Sequence, residues 1–198
     1  MTKHVIQLIG QARSGKDWTA EQLKLYYESL GESVEILSYA TPLKQITAEL
    51  FGISLEQLDT YKNNPQQVSV KVHDNNLLPP VDNLLIATNF RTILQRMGNE
   101  AIKPIFGTDV WAKLMQQSIN SSTADIIIIP DCRFQTELAL IGGVTLRIIN
   151  NSLPKPSNHA SEIELAYTQT DYTIDNTDYA VTPLIIDKLA QRIYDEQF

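Results

Sequence analysis

The sequence predicts an α/β protein with a central parallel five-stranded sheet flanked by helices. Helix-like patterns alternate with strand-like segments, which cover residues 4–9, 33–39, 125–130, 144–150 and 172–175. Such alternation is typical of a parallel sheet whose two faces are both covered. The four consecutive isoleucines at 126–129 fit a central strand that is buried on both sides.

The predicted helices carry apolar residues three and four positions apart, which place one apolar stripe along each helix. Stripes of this kind begin at Ala20, Phe90 and Ile186. A further helix is predicted over 42–51, because Pro42 is a helix-start residue and Gly52 is a stop signal. Another is predicted over about 108–119.

The length of 198 residues predicts one domain. We expect a sheet-containing core at 1–40 and 122–198, and a substrate-binding helical region at 41–121. Residues 60–88 are rich in Asn, Gln and Pro and break the pattern, so they are predicted to be an insertion on the substrate side. The segment at about 150–161 has two prolines after a strand and is predicted to be a lid.

Composition narrows the classes of function. The net charge of −7 argues against a general nucleic-acid-binding surface, so an anionic substrate needs a local cluster of cations. No apolar run approaches the roughly 20 residues that cross a bilayer, so no membrane association is expected. The polar start passes directly into a strand, which speaks against a signal peptide. The lone Cys132 excludes an internal disulfide and fits a cytoplasmic protein.

Residues 10–17 carry the strongest motif of the chain, Gly-Gln-Ala-Arg-Ser-Gly-Lys-Asp. It lies between a strand pattern and a helix pattern and matches the phosphate-binding P-loop G-x-x-x-x-G-K, with Asp17 where Ser or Thr is usual. Gly10 permits a sharp turn, and Gly15 permits close approach to a phosphate. The backbone N–H groups between them can form an anion nest at the start of a helix. Lys16 adds a full positive charge toward the outer phosphates.

Two side chains of this loop have alternative roles. Asp17 is either a hard oxygen ligand of Mg²⁺, directly or through water, or a helix-start carboxylate that interacts favourably with the helix dipole. Arg13 either swings over the transferred phosphate or remains a solvated loop arginine.

A second candidate cluster follows the isoleucine strand. Asp131 resembles the acidic residue of a Walker B element, at the sheet edge where ligands collect. It can order Mg²⁺-bound water, contact an acceptor substrate, or cap a helix. Arg133 and Glu137 are one helical turn apart, so both can face one pocket in which Arg133 holds a phosphate. The alternative is a local Arg133–Glu137 ion pair.

Three helical segments carry candidate acceptor contacts. Arg91, Gln95 and Gly98 recur at i, i+4, i+7, apart from the apolar stripe of their helix. They either bind a phosphate and a base edge or form a solvated polar face. Lys44 is either a ligand of an acceptor phosphate or a surface lysine, and Trp111 is predicted to be part core residue and part pocket wall. The sequence contains no zinc-ligand spacing pattern.

Together these motifs resemble the phage-type deoxynucleoside monophosphate kinases, a family of P-loop kinases. The family's elements occur here in order, as Ser14 to Asp17, Ala40 to Lys44, Arg91 to Gly98 with Trp111, Asp131 to Glu137, His159 to Glu162, and Asp175-Asn176. The resemblance implies a P-loop kinase fold and transfer of the ATP γ-phosphate to a deoxynucleoside monophosphate, with Mg²⁺. It also implies a cytoplasmic enzyme of deoxynucleotide metabolism, in the host cytoplasm if phage-encoded, and it is compatible with a homodimer.

The resemblance assigns three groups of residues. The ATP-binding group is Gly10, Ala12, Arg13, Ser14, Gly15, Lys16, Asp17 and Asn176, with the loop after Asn176 bordering the adenine and Asp17 as the metal ligand. The group around the monophosphate is Lys44, Arg91, Gln95, Trp111, Asp131, Arg133 and Glu137. The catalytic group is Lys16, Arg13, Asp131 and Arg133.

Three positions depart from the family pattern, which puts the acceptor choice and the grip on phosphate in question. Trp18 stands where a small hydroxyl residue is common, Ala12 where a basic residue is common, and Lys103 in place of an arginine.

Two competing hypotheses keep the same loop. One is a kinase for another acceptor, since the loop also resembles those of phosphomevalonate kinases and of kinases for modified bases in DNA. The net charge disfavours a DNA acceptor. The other is a nucleotide-binding module without transfer activity. The cations Lys44, Arg91 and Arg133 disfavour that module, because binding ATP alone needs no second phosphate site.

Overall fold

A computed structural model describes residues 3–63, 89–153, 164–165, 167–178 and 180–197. Residues 64–88 of the predicted insertion lie outside the described residues. So do residues 154–161 of the predicted lid and the motif from His159 to Glu162.

The described residues form one parallel sheet of five strands. The strands are β1 (His4–Ile9), β2 (Val34–Ile36), β3 (Ile126–Ile129), β4 (Val144–Ile149) and β5 (Tyr172–Asp175). They lie in the order β2-β3-β1-β4-β5, and every neighbouring pair is parallel. The predicted parallel five-stranded sheet flanked by helices is therefore confirmed, although β2 is shorter than the predicted strand at 33–39.

Helices follow most strands. They are α1 (Lys16–Ser29), α2 (Ala40–Phe51), α3 (Leu55–Asn63), α4 (Phe90–Arg96), a π-helix (Met97–Ile102), α5 (Lys103–Phe106), α6 (Val110–Ser121), α7 (Gln135–Ile141) and α8 (Thr182–Gln197). None of the helices in the described part of the chain is both long and apolar enough to cross a bilayer.

One face of the sheet is covered by α1 and α8. Alternate residues of each strand point to the same face, so Ile6 and Leu8 of β1 share a core with Ile126 and Ile128 of the neighbouring β3. The helices complete this core with the buried side chains of Ala20, Leu23, Tyr27, Ile186, Ala190 and Ile193. Each helix contributes a stripe at helical spacing, as the sequence predicts.

The opposite face of β1 carries a buried polar contact. Gln7 is fully buried, and its Nε2 donates a hydrogen bond of 2.8 Å to the Gly142 carbonyl after α7. The Tyr39 hydroxyl donates to Gln7 Oε1 at 3.2 Å. Burial raises the pKa of the Tyr39 phenol, and nearby Cys132 and carboxylates add to the effect, so the hydroxyl stays protonated as a donor.

The chain divides into two compact units, one of Met1–Ala40 with Asp109–Phe198 and one of Thr41–Thr108. The helix α6 packs against α7 within the first unit. The predicted division into a core and a helical region of residues 41–121 stays a prediction.

The second unit has its own small core. Ala48 of α2, Leu58 of α3, and Phe90 and Leu94 of α4 are buried together. The Phe51 and Phe90 rings meet edge to face, with their centroids 5.2 Å apart. The helix α3 supplies Leu58 to this core. The sequence patterns did not predict a helix over residues 55–63.

Candidate phosphate-binding site

The loop between β1 and α1 has the backbone of a tight, inward-facing turn. Gly10, Arg13 and Gly15 have φ values of 147°, 68° and 94°. Gly15 is the N-cap of α1, and its carbonyl accepts the Thr19 N–H at 2.8 Å. Arg13 adopts the left-handed conformation without being glycine, which is a strained arrangement that is frequent at functional sites. The loop thus begins at the carboxyl end of a central strand and leads directly into a helix, as a phosphate-binding loop does.

Gly10 is required by close packing as well as by its φ. A Cβ atom at this position would lie 2.3 Å from the Ile148 carbonyl oxygen of β4. No other residue type therefore fits between β1 and β4 at the first position of the motif.

Lys16 lies over the loop itself. Its Nζ donates hydrogen bonds to the carbonyls of Gly10 at 2.7 Å and Gln11 at 2.8 Å. These contacts hold the ammonium group beside the loop, where an anion bound by the loop N–H groups would meet it. When a phosphate binds, the Lys16 ammonium group would give up the two carbonyl contacts and form a charge-assisted contact with the phosphate instead.

The remaining loop side chains divide by exposure. Ala12, Arg13 and Asp17 are exposed, whereas Ser14 is fully buried. Asp17 lies in the first turn of α1, where its charge interacts favourably with the helix dipole. Within the described ranges no three acidic, His or Cys side chains are grouped as a metal site. A Mg²⁺ ion at Asp17 would take further ligands from water and phosphate, which is how this ion commonly binds.

Asn176 contacts the loop from the far edge of the sheet. It follows β5, and its backbone N–H donates to the Ile149 carbonyl of β4 at 2.7 Å. Its Nδ2 donates to the Ser14 carbonyl at 2.9 Å, and the residue is fully buried. The resemblance assigns the adenine border to the loop after Asn176, and the structure shows the Asn176 side chain itself bound to the phosphate-binding loop.

Asp131 anchors the start of α2. Its carboxylate accepts hydrogen bonds from Ser38 Oγ at 2.7 Å, from the Tyr39 N–H at 2.9 Å and from the Ala40 N–H at 3.0 Å. Of the alternatives weighed from sequence, the structure shows the helix cap, but for a helix that begins 91 positions earlier in the chain. Roles in metal or acceptor binding stay predictions.

Asp131→Asn is expected to lower the free energy of unfolding by about 1–2 kcal/mol, because an amide nitrogen cannot accept a bond from this N-terminal turn. Urea denaturation measures the change, and Asp187→Asn on the exposed side of α8 serves as the control. Unchanged stability would argue against the capping role. A loss of turnover in the fully folded variant would support the additional role in the reaction.

Glu137 is a buried capping residue at the start of α7. Its Oε2 accepts the backbone N–H groups of Arg133 at 2.7 Å and Phe134 at 3.1 Å. The Glu137 carboxylate thus binds the loop backbone, and the Arg133 side chain is exposed. That the two residues face one pocket stays a prediction. Burial raises the pKa of the neighbouring Cys132 thiol, and the Glu137 and Asp131 carboxylates raise it further, so Cys132 is a neutral core residue.

The other predicted acceptor residues divide between the two units. Trp111 lies in the first unit as a buried residue of α6. Lys44, Arg91 and Gln95 lie in the second unit. Lys44 pairs with Asp59 of α3 at 2.8 Å, a partner that sequence spacing did not indicate. Arg91 and Gln95 are both exposed and lie one turn apart on α4.

Gly98, the third residue of that predicted stripe, lies in the π-helix. It is buried, and the π-helix joins α4 to α5 without a break. Single π-turns inside α-helices are frequent at functional sites. Such a turn rotates the side chains that follow it relative to those that precede it. The π-helix leaves the stripe of Arg91 and Gln95 intact but moves its C-terminal continuation.

Comparisons with known proteins give two kinds of result. No protein-family model matches the sequence, and no curated protein matches it. Among solved structures, shikimate kinase from Acinetobacter baumannii in complex with shikimate has a TM-score of 0.46 and 11% identity, over 100% of this chain and 96% of that chain. An unliganded sugar kinase from Janibacter sp. HTCC2649 has a TM-score of 0.40 and 16% identity, with the same coverage. At this level of likeness, what is proposed for the chain depends on its own residues.

Proposed function

We propose that this chain is an ATP-dependent phosphotransferase whose acceptor is a deoxynucleoside monophosphate. The observation that carries the proposal is the loop from Gly10 to Lys16 at the carboxyl end of β1. Its glycines have positive φ, its last glycine caps α1, and its lysine ammonium lies against the loop. This combination is the arrangement that binds a nucleotide's outer phosphates.

The acceptor part of the proposal depends on the family resemblance and on the cations. Arg91 and Arg133 are exposed. Each guanidinium group can therefore form a bidentate contact with a phosphate without first moving out of the protein interior. Lys44 would have to exchange its ion pair with Asp59 for a phosphate contact. That pair is partly exposed, so the exchange costs little. Asp131 and Glu137, which the resemblance assigns to the acceptor, bind backbone N–H groups in this structure.

The chemistry would be charge stabilisation and positioning. The γ-phosphoryl group moves from the terminal bridging oxygen of ATP to a phosphate oxygen of the monophosphate, which yields ADP and a diphosphate. The acceptor oxygen is already ionised near neutral pH, so no strong general base is needed. Lys16, Arg13 and Arg133 would neutralise negative charge on the moving group. Mg²⁺, held through Asp17 and phosphate oxygens, would supply further charge neutralisation.

An acceptor screen tests the proposal. Each common nucleoside monophosphate, in deoxy and ribo form, is mixed with ATP and Mg²⁺, and ADP release is followed in a coupled assay. We expect a deoxynucleoside monophosphate to raise ADP release well above the rate with ATP alone. Phosphomevalonate and duplex DNA with modified bases are included as alternative acceptors. If no monophosphate stimulates ADP release, the proposed acceptor is wrong; stimulation by an alternative would retain the kinase and replace the acceptor.

Calorimetry distinguishes the remaining hypothesis. A nucleotide-binding module without transfer activity should bind ATP and show no separate site for a monophosphate. We expect the protein to bind ATP and, in a separate titration, a nucleoside monophosphate. Binding of ATP with no monophosphate site would favour the module without transfer activity.

A further inference from the structure

The loop that is proposed to bind phosphate is attached to the sheet by the buried side chain of Asn176. Asn176 lies just after β5, while β5 is an edge strand separated from β1 by β4. Its amide nevertheless reaches the loop, since Nδ2 donates to the Ser14 carbonyl at 2.9 Å. Ser14 is the residue before Gly15, and its carbonyl therefore lies where the loop enters α1.

The backbone of Asn176 is itself held firmly. Its N–H donates to Ile149 of β4 at 2.7 Å, which continues the β4–β5 ladder by one residue. The side chain thus projects from a fixed point of the sheet, and it is fully buried. A ligand outside the loop cannot reach it in this arrangement.

The pair of Ser14 and Asn176 also retains unused hydrogen-bonding capacity. Ser14 Oγ and Asn176 Oδ1 are buried and have no hydrogen-bond partner among the described residues. Unpartnered buried polar atoms destabilise a protein, and in native structures each calls for an explanation such as strain, function or a buried water. The Ser14 hydroxyl can donate a hydrogen bond, and the Asn176 amide oxygen can accept one.

We propose that Asn176 is a positioning residue for ATP, which acts by holding the loop of residues 10–16 in its phosphate-binding shape rather than by touching the nucleotide. The inference rests on the proposed function of that loop. The Ser14 carbonyl fixes the orientation of the peptide that precedes Gly15, and this peptide supplies a loop N–H group. Losing the amide donor leaves a buried carbonyl unpaired and lets the loop shift.

The test uses Asn176→Ala and Asn176→Asp in the full chain. The second variant keeps the shape of the side chain and removes the donor. Hydrogen exchange of the amides in 10–16 is measured without ligand, ATP affinity is measured by calorimetry, and KM and kcat are measured in the coupled assay. Asn120→Ala is the matched control, because Asn120 is exposed on α6 and bonds to Gln116 of its own helix.

We expect both variants to exchange the loop amides faster, while the amides of β3 and α8 keep their rates. The dissociation constant and the KM for ATP should rise about tenfold, which is the size expected for a lost buried hydrogen bond. The KM for the acceptor and kcat should change much less. The Asn120 variant should behave as the wild type.

Two outcomes would overturn the inference. Faster loop exchange with unchanged ATP affinity would show that the contact is merely structural. Weaker ATP binding with unchanged loop exchange would show that Asn176 contacts the nucleotide directly. If the wild type itself fails to bind ATP, the proposed function is wrong, whereas the exchange rates still report whether Asn176 holds the loop.

Discussion

Replacing Lys16 by alanine is expected to lower turnover by at least about 10²-fold, by analogy with the removal of one transition-state donor. The physical reason is that Lys16 brings a full positive charge to the end of the motif. Its Nζ already lies at the loop carbonyls of Gly10 and Gln11. Without it, charge that develops on the transferred phosphoryl group loses one of its positive partners in the loop. The measurement is kcat in the ADP-release assay with saturating ATP and acceptor.

Lys24→Ala is the matched control for this prediction. Lys24 lies on the same helix and makes a partly exposed ion pair with Glu28 at 3.8 Å, a kind of pair that contributes little to stability. Its removal should leave both kcat and the melting temperature nearly unchanged. A Lys16 variant with near-normal rates would contradict the role of Lys16, and a variant that is inactive because it is unfolded would be recognised by its lost melting transition.

Gly10→Ala should damage both the fold and nucleotide binding. A methyl group at this position meets the Ile148 carbonyl at 2.3 Å, and the φ of 147° is unfavourable for alanine. Conformational strain and overpacking together predict a loss of about 2–5 kcal/mol in the free energy of unfolding. The loop must also move away from β4, so we expect ATP affinity to fall at least about tenfold. Denaturant unfolding and calorimetry measure the two effects.

Two other glycines separate the causes. Gly31 has a φ of +92° with no atom within 4 Å of an added Cβ, so Gly31→Ala measures strain alone, at about 1 kcal/mol. Gly143 has a φ of +89°, and its added Cβ would lie 2.4 Å from the Val5 carbonyl, a clash away from the loop. Gly143→Ala should therefore lose as much stability as Gly10→Ala and keep its ATP affinity. If Gly10→Ala and Gly143→Ala lose ATP affinity equally, general destabilisation and not the loop weakens binding.

Most of the sheet could be predicted because strand patterns are local. The isoleucines of β3 and the apolar residues of β1 alternate between two covered faces, and that requirement is visible in the order of residue types. Short elements were harder to predict. The helix α7 has seven residues and the helix α3 has nine polar-rich ones, which is too short for a clear periodic stripe. Leu30 continues the predicted stripe of α1 but is 43% exposed, because the helix ends at Ser29.

The candidate site was predictable to the extent that its residues are neighbours in the chain. The loop at 10–17 depends on glycines at fixed spacing, and their conformations agree with what the motif requires. For Glu137, spacing along the chain indicated a side chain facing the same pocket as Arg133, whereas the structure shows its carboxylate binding the backbone just before α7. Helical spacing alone cannot distinguish these two uses of the same carboxylate.

The sequence by itself determined the parallel sheet and the loop after its first strand, because hydrophobic periodicity and the backbone freedom of glycine are properties of short segments. Only the tertiary structure decided which groups hold that loop and the helices beside it. Asn176 reaches Ser14 across 162 positions, and Asp131 reaches Ala40 across 91. Hydrogen bonds over such separations are set by the order of strands in the sheet, and one chain segment carries no record of the partner that the fold brings to it.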